Sequence, residues 1–155
     1  MDRRGWISGG LIALAALAPD RLTKAWVRAG GAEGGWPGVF RFRRVTNTGA
    51  AFSMLRGRTL ILTVGTALLL ALIVGLLARF GDRLSRTCRA GLWLIVGGGL
   101  SNCFDRVFYG GVLDFIEPLF VRFAVFNVAD ICIVAGAFLT ALGMLAEGRG
   151  KDGGA

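Results

Sequence analysis

The chain has 155 residues, of which 54% are hydrophobic and only 18% charged, and its mean hydropathy is +0.62. This excludes intrinsic disorder and leaves too few charges to cover a small soluble domain. The net charge is +8, but the basic residues fall in short clusters between apolar runs, which suits lipid head groups and topology control and argues against nucleic acid.

The first apolar stretch, residues 6–18, continues as predicted helix to 27. It resembles a signal peptide, with Arg3 and Arg4 before it and Ala16-Leu17-Ala18 at its end. Pro19 is a poor residue to follow a cleavage site, so an uncleaved span over about 6–27 is expected. The connection over 28–58 is rich in Gly, Pro and Trp, then alternates over 39–43 as a strand does. Residues 59–80 hold no charge until Arg79 and are long enough to cross a bilayer. A shorter span is expected over about 90–106. Residues 112–116 read as a second short strand, followed by an aromatic, amphipathic segment suited to the membrane interface. The last span, about 125–146, carries Asp130 near its start.

The predicted fold is therefore a mainly α integral membrane protein forming one domain over 1–155. It has four transmembrane helices, a small extramembrane β platform after the first and an amphipathic interfacial segment before the fourth. Both termini then lie on one side. Lysines and arginines divide evenly between the two sides, so their count does not orient the chain; the short basic loop over 79–89 leans cytoplasmic.

The chemistry available is limited. Without histidine there is no Ser-His-Asp or Cys-His arrangement, and no His-ligated zinc. Cys88, Cys103 and Cys132 are odd in number and lack CxxC spacing, so they read as small buried hydrophobes, with no disulfide framework or metal site. No metal and no cofactor are expected. Gly97, Gly98 and Gly99 read as close helix packing.

Charged groups are costly inside a bilayer, and here they gather at one end of the spans. Asp20 and Lys24 share a helix face and read as an ion pair. Asn102, Asp105 and Arg106 close the third span, and Asn127 and Asp130 open the fourth; Asn47 and Asp114 belong to the loops on that side. A single polar cluster near one membrane surface follows. Arg106 is read as snorkelling or as fixing a carboxylate, and Asp105 as its neutralising partner. Asp114 and Asp130 have no cation three or four residues away on their own elements. Two carboxylates brought together near an apolar phase can share a proton and serve as general base and general acid. On residues alone a catalytic dyad, proton or ion translocation and structural pairing all stay open. A small four-helix proton-coupled transporter is the main rival and a non-catalytic scaffold the second. A transporter is expected to carry a carboxylate deep within a span, whereas here the central portions are uncharged.

Four blocks carry a resemblance: Asp20-Arg21-Leu22-Thr23-Lys24, Asn47-Thr48-Gly49-Ala50-Ala51-Phe52-Ser53, residues 98–106 continuing to 111–115, and Phe126-Asn127-Val128-Ala129-Asp130. In this order, over about residues 10–145, they make the chain resemble the bacterial lipoprotein signal peptidases (signal peptidase II). The resemblance implies an aspartyl endopeptidase of the bacterial inner membrane. It would cleave diacylglyceryl-modified prolipoproteins just before the lipid-modified cysteine. Asp114 and Asp130 match the family's catalytic pair. Asn47, Gly49, Asn102, Arg106, Asn127 and Ala129 lie in blocks that match positions around substrate and dyad. Asp20, Lys24 and Asp105 match as supporting polar residues. The resemblance further implies cytoplasmic termini, an active site near the periplasmic face, contact with membrane lipids, globomycin-type inhibitors binding between the aspartates, and a monomer. The loop after Arg28 would be a platform over the substrate, and the aromatic segment around Phe120 a movable cover. Two departures stand out: Ser101 where glycine is usual, and Pro19, expected to bend the end of the first span. The glycine-rich tail after Glu147 is assigned no role.

Overall fold

Among the described residues, 1–31, 34–49 and 57–152, the computed structural model has four long helices and one three-stranded antiparallel sheet. Helix α1 spans Arg3–Trp26, α2 Thr59–Phe80, α3 Arg86–Tyr109 and α4 Val128–Asp152. Strand β1 is Gly35–Trp36, β2 Phe40–Asn47 and β3 Val112–Pro118, in the order β1-β2-β3. Residues 50–53 of the second sequence block lie outside the described residues.

Helix α3 is the centre of the bundle and packs on all three other helices. Its glycines permit this. A Cβ at Gly98 would meet the Ala129 carbonyl oxygen of α4 at 2.6 Å, and one at Gly97 would collide with the Ala13 carbonyl of α1. The apolar core between α1, α2 and α3 holds Ala13, Leu70, Ile73, Leu77, Trp93 and Val96.

The outside of the bundle is apolar. Leu60, Leu68 and Leu72 of α2, Val134, Phe138 and Leu145 of α4, and Leu11 and Leu22 of α1 all stand exposed. Water would penalise such a belt at roughly 25 cal/mol per Å², and lipid would not. Over Thr59–Arg83 and Val128–Glu147 the chain is long and apolar enough to cross a membrane, with few of these residues buried inside the protein. Helices α1 and α3 do not pass that test, so two spans stand on length and composition where four were expected. Their lower apolarity has a cause: α1 carries Asp20, Arg21 and Lys24, and α3 carries its glycines with Ser101, Asn102 and Asp105, all turned to the protein interior or its rim.

Helix α2 keeps its expected bounds, α1 starts earlier than expected, α3 extends further at both ends, and α4 starts later, at Val128, and runs on to Asp152. Pro19 does not break α1; the helix continues to Trp26, and the Thr23 hydroxyl donates to the Pro19 carbonyl at 2.8 Å. The strand expected over 39–43 extends through Asn47, and β3 extends to Pro118. The aromatic segment forms no helix. It folds back so that Phe126 pairs with Ile116 in an antiparallel bridge, leaving Phe120 and Phe123 exposed.

One irregularity in the sheet sets the geometry of the site. Phe42 pairs with Ile116, but Val45 pairs with Asp114, so β2 carries one extra residue between them. An unbroken register would set Arg44 opposite Asp114 and turn Asn47 to the other face. The bulge brings Asn47, opposite Val112, onto the face that carries Asp114.

Candidate active site

The C-terminal ends of α1 and α3, the start of α4 and the sheet meet at one end of the bundle. Asp114 comes from the middle of β3 and is buried; Asp130 comes from the first turn of α4 and is half-buried. Both line a cavity of about 440 Å³ with Asn47, Asn102 and Arg106. The remaining wall is apolar, with Val112, Phe123, Val125, Phe126, Ile131, Ile133 and Val134.

Three asparagines hold the two carboxylates. The Asn127 Nδ2 donates to Asp114 Oδ1 at 2.7 Å, and Asn47 Nδ2 donates to Asp114 Oδ2 at 3.1 Å. Asn102 Nδ2 donates to Asp130 Oδ1 at 2.8 Å, and the Asn127 backbone N–H donates to Asp130 Oδ2 at 3.2 Å. In return the Asp130 N–H donates to Asn127 Oδ1 at 2.9 Å, so residues 127 and 130 cap the helix reciprocally. Asn127 therefore touches both aspartates. Asn47 Oδ1 accepts from the Gly49 N–H at 2.9 Å, which fixes the amide orientation through a local turn.

A second tier lies behind these. Lys24 is fully buried and donates to Asn102 Oδ1 at 3.0 Å, to Asp20 Oδ2 at 2.7 Å and to Asp105 Oδ2 at 2.9 Å. Its three N–H bonds are thus all used. Asp20 Oδ1 accepts the Ala129 N–H at 2.9 Å, and its Oδ2 also accepts the Ser101 hydroxyl at 2.6 Å. Ser101 is buried and gives this carboxylate a further donor.

Asp105 does not neutralise Arg106. Its Oδ1 accepts from Arg21 at 2.7 Å and Arg28 at 2.8 Å, and its Oδ2 from Lys24 and the Leu113 N–H. Adjacent helix residues point about 100° apart, which turns Asp105 to α1 and Arg106 to the cavity. Arg106 Nε is buried there with no acceptor among the described residues. Arg21 and Arg28 were not singled out by sequence. Their positions with Lys24, at spacings of three and four, are one face of a helix, and that was the available signal. Each also stacks on an aromatic ring of α3, Arg21 over Phe104 at 4.3 Å and Arg28 over Tyr109 at 3.8 Å.

Burial, then the nearby charge of Asp130, pushes the Asp114 carboxyl up to about 6; hydrogen bonds from Asn47 and Asn127 and the charge of Lys24 pull the other way. Cys88 is buried, Cys103 and Cys132 are half-buried, and all three are free.

An apolar-belted helical bundle with paired carboxylates in a cavity at one end is a membrane-enzyme type of architecture. The chain belongs to the signal peptidase II family, whose model matches residues 12–146, and it is accordingly a peptidase. It is 40% identical over 139 residues to a lipoprotein signal peptidase of Gloeobacter violaceus, covering 87% of this chain and 80% of that one. It is 33% identical over 150 residues to a lipoprotein signal peptidase of Clostridium acetobutylicum, covering 92% and 97%. Among solved structures it is similar to a bacterial membrane enzyme solved in meso at 2.3 Å, with a TM-score of 0.83, 26% identity, and coverage of 93% of this chain and 91% of that one.

Proposed function

We propose that this peptidase is an aspartic endopeptidase that removes the signal peptide from diacylglyceryl-modified prolipoproteins, cutting just before the lipid-modified cysteine. The observation that carries the reading is that Asp114 and Asp130, from separate elements, face one cavity and are bridged by Asn127. The names of the relatives support the substrate class.

The pair shares one proton. The ionised carboxylate takes a proton from water as the water oxygen attacks the scissile carbonyl carbon. The protonated partner donates to the carbonyl oxygen. The gem-diol intermediate then expels the amine: the C–N bond breaks, the nitrogen takes the proton that the first carboxyl gained from water, one gem-diol hydroxyl returns its proton to the second carboxylate as the carbonyl re-forms, and the pair regains one shared proton. Asn47, Asn102 and Asn127 hold the carboxylates in place, so little reorganisation is needed. Arg106, which lines the cavity, offers its guanidinium to a substrate carbonyl. The wall of Val112, Ile131, Ile133 and Val134 suits acyl chains, and globomycin-type inhibitors would occupy the space between the aspartates.

In this reading α1 and α3 also cross the bilayer, lowering their polar residues into a four-span bundle that forms one domain over 1–155. The termini are cytoplasmic, the sheet and site lie near the periplasmic face of the inner membrane, and the protein acts as a monomer. The segment over 119–125, which borders the cavity through Phe123 and Ala124, covers the substrate.

The test is incubation of purified protein with a diacylglyceryl-modified prolipoprotein, its unmodified form and a chelator arm. Cleavage of the lipidated form alone, unaffected by chelator, is expected. Equal cleavage of both forms would overturn the substrate assignment.

A further inference from the structure

Lys24 is joined to the aspartate pair through one side chain, Asn102. The Lys24 ammonium donates to Asn102 Oδ1 at 3.0 Å, and Asn102 Nδ2 donates to Asp130 Oδ1 at 2.8 Å. An ammonium only donates, so the Asn102 atom that faces it must be the oxygen, and the NH2 group is left to face Asp130. The same oxygen accepts from Asn127 Nδ2 at 3.2 Å, and that NH2 also donates to Asp114 Oδ1 at 2.7 Å. Lys24, Asn102 and Asn127 are all buried. One buried cation therefore fixes the sense of both amides that join the two carboxylates.

Three features separate Asp130 from Asp114. First, Asp130 takes its side-chain hydrogen bond from an amide that is itself bonded to an ammonium. The amides that serve Asp114 have their oxygens on backbone N–H groups, Asn47 on that of Gly49 and Asn127 on that of Asp130. A full charge polarises an amide more than a peptide dipole does, so Asn102 is the stronger donor to a carboxylate. Second, Asp130 lies in the first turn of α4 and accepts the Asn127 N–H, where a helix start favours negative charge. Third, Asp114 is 3% exposed and Asp130 is half-buried, so ionising Asp114 forgoes more hydration. All three put the negative charge on Asp130 and the proton on Asp114.

The charges around the pair act in both senses. On α1, Lys24 faces Asn102, and the Asp20 carboxylate, which accepts the Ala129 N–H, opposes it. On α3, Asp105 is held by Arg21, Arg28 and Lys24, and Arg106 lines the cavity that both carboxylates share. On β3, Glu117 is paired with Arg41 and Arg43 of β2. The cations Arg21, Lys24 and Arg28 outnumber the carboxylates Asp20 and Asp105 by one, so the tier behind Asn102 is net positive.

We propose that Lys24 is a positioning residue for proton transfer: acting through Asn102, it holds the negative charge of the pair on Asp130 and leaves the shared proton on Asp114. For its catalytic consequence this rests on the peptidase reading. Asp130 is then the carboxylate that takes the proton from water, and Asp114 the carboxyl that donates to the carbonyl oxygen. The Asp114 carboxyl, pushed up to about 6, agrees with this order.

Proton location is read by infrared titration of the purified full-length protein in detergent, through the carbonyl stretch of a protonated carboxyl and with no substrate present. Each carboxylate is followed alone, Asp130 in Asp114→Asn and Asp114 in Asp130→Asn, because a coupled pair titrates jointly. Asp130 alone is expected to lose its proton at a lower pH than Asp114 alone. Adding Lys24→Met should raise the Asp130 midpoint by about one pH unit, a tenfold change in proton affinity, and the Asp114 midpoint by less than about half as much. Adding Asp20→Asn, which leaves Lys24 less neutralised, should move the Asp130 midpoint the opposite way. A role confined to packing would not give opposite signs. Ser101→Ala loosens the same tier without changing its charge and should leave both midpoints in place. If Lys24→Met does not fold, the order of the two midpoints and the direction of the Asp20→Asn shift decide. An Asp114 midpoint below that of Asp130, equal shifts of both on Lys24→Met, or an upward Asp130 shift on Asp20→Asn would overturn the proposal. Cleavage of the lipidated substrate by the parent is a separate arm. The expected titrations without cleavage would support the proton placement and overturn the peptidase reading, whereas cleavage with any of the contrary titrations would overturn the placement alone.

Discussion

Asp20, on the first helix, accepts the backbone N–H of Ala129 at 2.9 Å and so helps cap the start of α4, one residue before Asp130. The contact spans 109 positions in sequence and ties the placement of a cavity carboxylate to a residue on another helix. Asp20→Ala removes the acceptor and uncovers part of the Lys24 charge. A loss of about 3–5 kcal/mol in stability is expected. Asp20→Asn keeps an acceptor for Ala129 and should lose less. Thermal unfolding of both variants in detergent checks this; equal losses would mean that the cap contributes nothing.

Ser101 donates to Asp20 at 2.6 Å from a buried position. Ser101→Ala should cost about 1.5–3 kcal/mol, the range for a hydrogen bond to a charged group. Unfolding midpoints read the effect, and an unchanged midpoint would remove Ser101 from the network.

The Asp114 carboxyl, on β3, is pushed up to about 6 by burial and by Asp130. Its folded value lies above its unfolded one, so the folded state holds the proton more tightly. That stabilisation is complete below the unfolded value of about 3.9 and is lost as pH rises through about 6. At pH 8 the ionised group costs roughly 3 kcal/mol relative to pH 4. Asp114→Asn, which stays neutral, should therefore unfold at a higher temperature than the parent at pH 8, with roughly half of the gap left at pH 5 and the rest closing only below about pH 3.9. A gap independent of pH would contradict the assignment.

Arg106 lines the cavity, and its Nε has no acceptor among the described residues. Arg106→Gln should lower kcat/KM for the lipidated substrate by about 10–100-fold, the value of one hydrogen bond from a charged donor. The folded protein and its unfolding midpoint should change little. Wild-type kcat/KM would mean that Arg106 does not meet the substrate.

The polar end of the bundle was legible because charge is rare in this chain, and helical spacing assigns Asp20 and Lys24 to one face. What remained hidden depends on contact between elements. Asp105 was matched to its neighbour Arg106, whereas packing of α3 on α1 gives it Arg21, Lys24 and Arg28. The bulge between Phe42 and Val45 decides which face Asn47 takes, and no local residue pattern announces it. The spans over α1 and α3 were read from apolar length, yet both helices exchange apolar side chains for glycine and polar groups where they pack inside the bundle.

The most direct test of the central claim is single-turnover cleavage of a diacylglyceryl-modified prolipoprotein by the parent and by Asp114→Asn and Asp130→Asn, each shown to be folded by its unfolding transition. Both substitutions keep shape and remove a proton-transfer group. Each is expected to lower the rate of the chemical step by about 10²–10⁴-fold, the usual contribution of general acid–base catalysis. A folded variant of either kind that cleaves at the parent rate would contradict a shared-proton aspartate pair.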